Sequence, residues 1–441
     1  MPTDISQNLP FWLCWLAGLL LCAHQVVHAF RRRESVLGMV PVICLMYGYF
    51  YVIQSGAVGL SLSHRVAPWV LALGQFVALI SLVGFLVGWH KGVGTLRIAK
   101  RSEPGVNLQF LFQGGLGAAL VGLAGMYSFY IYFGAGDFTS SAYWYLLYHV
   151  FYPGMAVCVG VAARDARFRQ ASVVLTIIVL SALFITPWVI SVRRSPLFTF
   201  VVIFIYGYYL ARPYLVNRAV VVAGLIFSGV VMLLFVTIRD YSHGSDGSWT
   251  GQKLQKVTAT DVLLGKAYDE GDNEFLYNCC LAATCYELDR FQWGTSYLSL
   301  TTHWIPRQWW PDKPGLAQGW LNPVTWPDIR DCTGIMMTPG STYSGVGEAF
   351  QDFSWFTPLF WAALGWLLGR LYHYVVAHPG SVAAPVYVGM IGVTHLLIAQ
   401  GFAAAFVPGM IYMVTPILVF AATGQFKAAP AVRRKPRLAF N

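Results

Sequence analysis

Uninterrupted apolar runs of about 20 residues recur along most of the chain, and each is long enough to cross a membrane as a helix. Of the 441 residues, 57% are hydrophobic and 11% are charged, so one water-soluble core could not bury the apolar side chains. The runs are near-continuous Leu, Val, Ile, Phe, Gly and Ala, without the alternation that marks the strands of a membrane barrel. The sequence therefore predicts an all-α polytopic membrane protein.

About eleven such runs divide the chain into a membrane part, a loop, a second membrane part and a tail. Residues 1–238 hold the first eight predicted spans, 239–354 form a large external loop, 355–424 hold the last three spans, and 425–441 are basic. The predicted spans are Pro10–Phe30, Val36–Ser55, Val66–His90, Gln109–Phe133, Ala142–Ala163, Ala171–Ile190, Pro196–Ala211, Ala219–Ile238, Trp355–Val375, Ala384–Gln400 and Ala404–Thr423.

The positive charges indicate which side of the membrane each span end faces. About 18 of the 29 Lys and Arg residues lie at alternate span ends, and the positive-inside rule places that side in the cytoplasm. The first span has no positive charge before it and is followed by Arg31–Arg33, which favours an uncleaved anchor with its N-terminus outside. The C-terminus then lies in the cytoplasm. Because topology accounts for the net charge of +10, we expect no nucleic-acid partner.

The large loop is where we expect the function, because a site for water-soluble groups must lie at or above the membrane interface. Apolar residues at helical intervals over Leu254–Arg290 predict two short amphipathic helices, and frequent Trp, Pro and Gly predict irregular backbone after them. Seven of the 16 tryptophans lie in this loop, which fits either an interfacial belt or stacking against sugar rings. Its cysteines allow disulfides in an oxidising compartment, and no zinc-ligand spacing occurs.

Three arginines are predicted at the outer interface. Arg193 and Arg194 occupy the short connection between spans 6 and 7, and Arg239 leaves span 8 on the same side. Cations held so close to the membrane need a compensating anion. One interpretation is that the guanidinium groups reach lipid phosphates, and the other is that they clamp a pyrophosphate, whose oxygens match planar forked donors.

A proline-rich segment in the loop presents further cations. It reads Ile305-Pro-Arg-Gln-Trp-Trp-Pro-Asp-Lys-Pro314, and its prolines restrict the backbone to extended and turn geometry, so Arg307, Trp310 and Lys313 are held on a stiff loop. The segment is similar to the Ile-Pro-Arg-x-x-Trp-Pro-x-Lys-Pro signature of bacterial oligosaccharide repeat-unit polymerases, the O-antigen polymerase (Wzy-type) family.

Two further elements resemble the same family. Thr333-Gly334 and Thr338-Pro-Gly-Ser-Thr-Tyr-Ser-Gly-Val-Gly-Glu-Ala-Phe-Gln-Asp-Phe353 are similar to its Thr-Gly…Gly-Glu-x-x-x-Asn-Phe-Gly element. Asp352 stands where Asn is usual, and Ser354 where Gly is usual. Glu274 lies in a short acidic stretch that also resembles one in the family.

The resemblance implies a GT-C-like glycosyltransferase of the bacterial inner (cytoplasmic) membrane that needs no nucleotide sugar, metal or other cofactor. Such enzymes move a growing glycan from undecaprenyl pyrophosphate to a sugar hydroxyl of an incoming lipid-linked repeat unit, at the periplasmic face. The implied partners are this lipid-linked oligosaccharide, membrane lipid and a chain-length regulator.

This reaction needs a base that deprotonates the attacking hydroxyl, and Glu348 is the first candidate. If a helix continues from Glu348 through Asp352 into span 9, the two carboxylates share one face and their repulsion raises one pKa. The competing interpretation is that Glu348 stabilises a helix N-terminus and that Asp352 is solvated. His303 and Glu274 are alternative bases, and Tyr343 is a candidate for aligning the acceptor.

Two other functions stay open at this point. An O-antigen ligase or related transferase shares the topology and the cationic site, so the sequence separates it poorly from a polymerase. A lipid-linked oligosaccharide flippase or transporter belongs to another class. Transporters place ionisable groups deep in their spans, whereas the predicted spans contain almost none.

Overall fold

A computed structural model describes residues 8–31, 35–61, 66–94, 107–133, 147–190, 194–211, 216–228, 230, 273–302, 305, 309–310, 324–336, 344–378, 381 and 383–422. Within these ranges every regular element is a helix and none is a strand. Four helices there are long and apolar enough to cross a membrane, namely Leu9–Arg31, Val40–Leu60, Pro68–Val93 and Leu108–Ser128. The protein is therefore an all-α membrane protein, as the apolar runs predict.

The first half of the chain forms nine helices within the described ranges. They are α1 (Leu9–Arg31), α2 (Val40–Gly48), α3 (Ser55–Ser61), α4 (Pro68–Val93), α5 (Leu108–Phe133), α6 (Phe151–Arg164), α7 (Ala171–Ile190), α8 (Arg194–Ala211) and α9 (Arg218–Ser228). A π-helical segment, Tyr49–Gln54, joins α2 to α3. The fifth and eighth predicted spans are described only in part.

The second half forms seven helices in the described part of the chain. They are α10 (Glu274–Glu287), α11 (Thr295–Thr302), α12 (Trp326–Thr333), α13 (Gly345–Phe353), α14 (Thr357–Ala377), α15 (Ala383–Ala399) and α16 (Val407–Ala422). A second π-helical segment, Phe402–Phe406, leads into α16. The expectation of irregular backbone after residue 290 is wrong where α11, α12 and α13 form, since each is a regular helix.

One side of α1 has the exposure expected of a surface that faces lipid. Leu9, Leu13, Leu16 and Leu20 are 52%, 58%, 45% and 60% exposed, and their spacing places them on one helix face. Phe11 on the opposite face is fully buried against the other helices. Lipid chains can cover the leucine face at no cost, which explains why an apolar surface of this size is stable.

Helices α4 and α14 pack with their backbones in close contact. A Cβ atom added at Gly84 would lie 2.3 Å from the carbonyl oxygen of Pro358, and one at Gly88 would lie 1.9 Å from that of Ala362. Gly92 repeats the contact one turn later. Small residues at intervals of four let two membrane helices approach in this way. The pairing makes the helices parallel, with the start of α14 beyond the midpoint of α4.

Helix α10 corrects the second of the two predicted amphipathic helices, and residues 254–272, where the first is predicted, lie outside the described residues. Every residue from Phe275 to Cys285 is buried, so no polar face meets solvent. Near the beginning of α4, a Cβ atom at Gly74 would overlap the side chain and backbone of Cys279. Part of the predicted external loop therefore packs alongside the first half of α4, among the membrane helices.

Candidate functional site

The start of α13 is held by a buried polar network. Ser344 precedes the helix, and its hydroxyl accepts a hydrogen bond of 3.3 Å from the Gly347 backbone N–H. The same hydroxyl donates to Asn278 Oδ1 at 2.8 Å and lies 2.5 Å from the Tyr51 hydroxyl. A Cβ atom at Gly347 would lie 2.5 Å from Asn278 Oδ1, which explains glycine there. Helix α13 is thus joined to α10 and to the first π-helical segment.

Glu274, one of the predicted alternative bases, is the first residue of α10 and is partly buried. Its Oε2 accepts a hydrogen bond of 2.9 Å from Gln54 Nε2, in the first π-helical segment. The preceding Asn273 caps α10 by accepting a 2.9 Å hydrogen bond from the Leu276 N–H. An extra residue per turn in a π segment redirects side chains, and here the segment contacts both Glu274 and Ser344.

Glu348, the first predicted base, stabilises the start of another helical segment. It is 1% exposed, and its Oε1 accepts a 2.6 Å hydrogen bond from the Ala403 N–H. Ala403 lies two residues after Gly401, whose φ of 104° allows the chain to turn after α15. The interpretation of Glu348 as a residue that stabilises a helix N-terminus is therefore supported, although the N–H belongs to the second π-helical segment rather than to α13.

Asp352 has the geometry of a proton acceptor. Asp352 is fully buried, and its Oδ1 accepts a 3.3 Å hydrogen bond from the Ser296 N–H in the first turn of α11. Among the described residues, Oδ2 has no hydrogen-bond partner. Burial raises the pKa of this carboxyl to about 6, against the smaller opposing effect of hydrogen bonds from Ser296 and Gly294.

These contacts correct two expectations about Asp352. It is not solvated, and burial rather than repulsion by Glu348 is the cause of its raised pKa. Helix α13 also does not continue into the next membrane helix. Ser354, with a φ of 51°, ends it, and a short 3-10 turn leads to α14.

Tyr297 completes the candidate site. Its buried hydroxyl has no hydrogen-bond partner in the described part of the chain. The ring stacks on Phe353 and Phe360, with centroid distances of 5.5 and 5.7 Å, and meets Phe402 edge-on at 5.4 Å. Burial, followed by the charges of Glu348 and Asp352, raises the pKa of Tyr297 well above its usual range. Tyr297 therefore keeps its proton, and we call Tyr297, Glu348 and Asp352 the carboxylate–tyrosine cluster.

Most residues of the predicted phosphate clamp lie outside the described residues. Those outside are Arg193, Arg239, Arg307 and Lys313, together with the predicted base His303 and the predicted acceptor-aligning residue Tyr343. Helix α7 ends at Ile190 and α8 begins at Arg194, so Arg194 is the first residue of a helix and not part of the predicted connection. Only the backbone of Arg194 is described.

Trp310 of the proline-rich segment is partly buried, whereas its neighbour Trp309 is 81% exposed and Trp293 is 61% exposed. All eight cysteines lie in described ranges and are free thiols, so the disulfides that the sequence allows do not form. In the described ranges no three His, Cys, Asp or Glu residues come together in a group that could hold a metal ion.

No protein-family model, curated protein or solved structure matches this chain. The resemblance to O-antigen polymerases accordingly stays a prediction that depends on the motifs alone. Tyr297, Ser344 and Asn278 are not predicted as site residues from the sequence. The sequence carries only a weak signal for them, because each is a single polar or aromatic residue whose spatial neighbours lie in other segments of the chain.

Proposed function

We propose that this protein is a glycosyltransferase that polymerises undecaprenyl-pyrophosphate-linked repeat units at the periplasmic face of a bacterial inner membrane. The proposal includes about eleven spans in a GT-C-like arrangement, an outer N-terminus and a cytoplasmic C-terminus. The observation that carries it is Asp352, a fully buried carboxylate with an unpartnered Oδ2 among the described residues, within a segment similar to a polymerase element.

Asp352 would act as general base. Its Oδ2 takes the proton of the acceptor hydroxyl while the hydroxyl oxygen bonds to the anomeric carbon of the donor glycan. The bond from that carbon to the pyrophosphate oxygen breaks, and its electron pair leaves with undecaprenyl pyrophosphate. A base with a pKa of about 6 is largely ionised at neutral pH and is still basic enough to accept a proton. The role of Asp352 as base depends on this chain's own geometry, because the similar element of the O-antigen polymerases has Asn at this position.

The other members of the cluster have supporting roles. Glu348 positions the segment that begins at Phe402, because its Oε1 is bonded to the Ala403 N–H. Tyr297 keeps its proton and can donate it in a hydrogen bond to a sugar oxygen or to Asp352. The exposed rings of Trp293 and Trp309 are suited to stacking on the C–H face of a sugar.

The leaving pyrophosphate requires cations, and we assign that role to Arg193, Arg194, Arg239 and Arg307, with Lys313. Arg194 is the first residue of α8, and an anion bound there would also interact with the positive end of the helix dipole. Planar guanidinium groups also match phosphate oxygens and disperse the charge that develops as the pyrophosphate leaves.

A lipid-linked oligosaccharide transporter is the second candidate, and one observation favours it. Glu348 and Asp352 are buried among helices rather than placed in an external loop, and transporters keep ionisable groups inside their bundles. An O-antigen ligase-like transferase would use the same base and differ only in its acceptor.

The test is a reaction of the purified protein with a synthetic lipid-pyrophosphate repeat unit in vesicles. A ladder of products that differ by one repeat unit supports the polymerase. Transfer to a different lipid or protein acceptor would show a ligase, and movement of the lipid between leaflets without new glycosidic bonds would show a transporter. Either of the last two results contradicts the proposal.

A further inference from the structure

A groove lies between the C-terminal halves of α1 and α4. It has a volume of about 440 Å³, within the range of small-molecule sites. Its apolar lining includes Leu86, which is buried, and Val83 and Val87, which are 43% and 52% exposed. The remaining lining residues are Leu21, Gln25, His90 and Lys91. The groove is therefore apolar along its length and basic at one end.

Further basic side chains surround that end. The rings of His24 and His28 on α1 have centroids 6.3 Å apart, and His28 and His90 are 6.4 Å apart. Arg31 is the last residue of α1 and is exposed. None of the described residues that line the groove is acidic. Imidazole N–H groups and a lysine ammonium offer hydrogen bonds and positive charge to a phosphate.

We propose that this groove binds an anionic phospholipid. One acyl chain lies along Leu21, Val83 and Val87, and the headgroup phosphate contacts Lys91 together with the histidines. The apolar wall of the groove matches the acyl chain of such a lipid, and the basic end matches its phosphate. Basic pockets between membrane helices are known to hold anionic headgroups on the cytoplasmic side, which is the side that the charge distribution predicts for this end.

The groove is separate from the carboxylate–tyrosine cluster. Helix α10 contacts α4 at Gly74, and His90 lies sixteen residues further along α4, or about 24 Å at the helical rise of 1.5 Å per residue. A phosphate at the basic end of the groove is therefore not the pyrophosphate of a donor that reacts near Asp352 at the other end. The inference does not depend on the proposed glycosyltransferase function.

The experiment measures lipid binding to the purified full-length protein by native mass spectrometry. Phosphatidylglycerol and phosphatidylcholine with identical acyl chains are titrated against the protein. We expect phosphatidylglycerol to bind about fivefold to tenfold more tightly, because each cation near the surface contributes a modest attraction. The combined variant His24→Gln/His90→Gln/Lys91→Gln should lose this preference, and Lys91→Arg should keep it.

Two matched controls separate the site from general effects. Arg169→Gln removes an exposed positive charge elsewhere and should leave the preference unchanged. Val87→Trp fills the groove and should weaken the binding of both lipids at least fivefold. Val179→Trp, at a 46% exposed position on α7, should leave the binding of both lipids unchanged. Equal binding of the two lipids, an unchanged preference in the combined variant, or displacement of phosphatidylglycerol by millimolar inorganic phosphate would overturn the proposal.

Discussion

The Oε1 atom of Glu348 accepts a hydrogen bond from the backbone N–H of Ala403, 2.6 Å away. One turn later on the same helix, Asp352 accepts from the Ser296 N–H at 3.3 Å. The carboxylates of α13 thus bind backbone N–H groups of two segments that are distant in the sequence. They differ in one respect that matters for chemistry, because Asp352 retains an oxygen without a partner in the described part of the chain.

The first prediction concerns the bond between Glu348 and Ala403. Glu348→Ala leaves the Ala403 N–H without this acceptor and should lower the free energy of unfolding by about 1–3 kcal/mol. Glu348→Gln keeps an acceptor oxygen and should be much closer to the wild type. Thermal unfolding of both variants in the same detergent measures the difference. If Glu348→Gln folds normally but loses all turnover, Glu348 rather than Asp352 is the base.

The second prediction concerns the contact between α4 and α14. Gly88→Ala would place a methyl carbon 1.9 Å from the Ala362 carbonyl oxygen, so the helices must separate. We expect a loss of about 1–3 kcal/mol of stability, measured by thermal unfolding. Gly117→Ala on α5 is the matched control, because nothing lies within 4 Å of its added Cβ atom. Equal stability of the two variants would contradict the packing described for α4 and α14.

The third prediction is a pH dependence of stability that belongs to Asp352. Because burial raises its folded-state pKa from 3.8 to about 6, the folded protein binds this proton more tightly than the unfolded chain does. The contribution of Asp352 therefore favours folding below pH 6 and is lost as the pH rises through 6. Relative to Asp352→Asn, the wild type should lose about 1 kcal/mol between pH 5 and pH 7. Unfolding midpoints at both pH values give this difference, and parallel curves would refute the raised pKa.

The fourth prediction tests the phosphate clamp. Arg194→Ala and Arg307→Ala should each reduce chain elongation by about 10²–10³ if their guanidinium groups stabilise the leaving pyrophosphate. Both proteins should still be recovered from the membrane in normal amounts. Arg330→Ala is a suitable control, because Arg330 pairs with its neighbour Asp331 at 2.9 Å and has no proposed role. Polymer of normal length from both clamp variants would remove the clamp from the mechanism.

The long apolar helices are the most predictable part of the fold. Helix α7 has the bounds Ala171–Ile190 that its apolar run predicts, and α5 begins within one residue of its predicted start. An apolar run of this length has few alternatives to a buried or membrane-spanning helix, so local sequence suffices. The same local reasoning failed for α10. It assumes that a helix outside the spans keeps one face in solvent, and α10 is buried on every face from Phe275 to Cys285.

The candidate site was only partly predictable for a related reason. One interpretation of the sequence has Asp352 solvated, but the residue is buried and is bonded to the N–H of Ser296, 56 residues earlier in the chain. Glu348 likewise depends on Ala403, 55 residues later. Hydrogen bonds between such distant segments leave no periodic pattern in the sequence. The motifs therefore point to α13 as a candidate, but they cannot distinguish the carboxylate that stabilises a helix start from the one with a spare oxygen.

The most direct test of the central claim is elongation of a synthetic lipid-pyrophosphate repeat unit by purified Asp352→Asn beside the wild type. The amide keeps the size of the side chain and can still accept the Ser296 N–H, but it cannot take a proton. Our account predicts a product ladder from the wild type and a rate about 10²–10⁴ lower for the variant, with unchanged binding of the lipid-linked donor. A ladder of wild-type rate and length from Asp352→Asn would contradict the account.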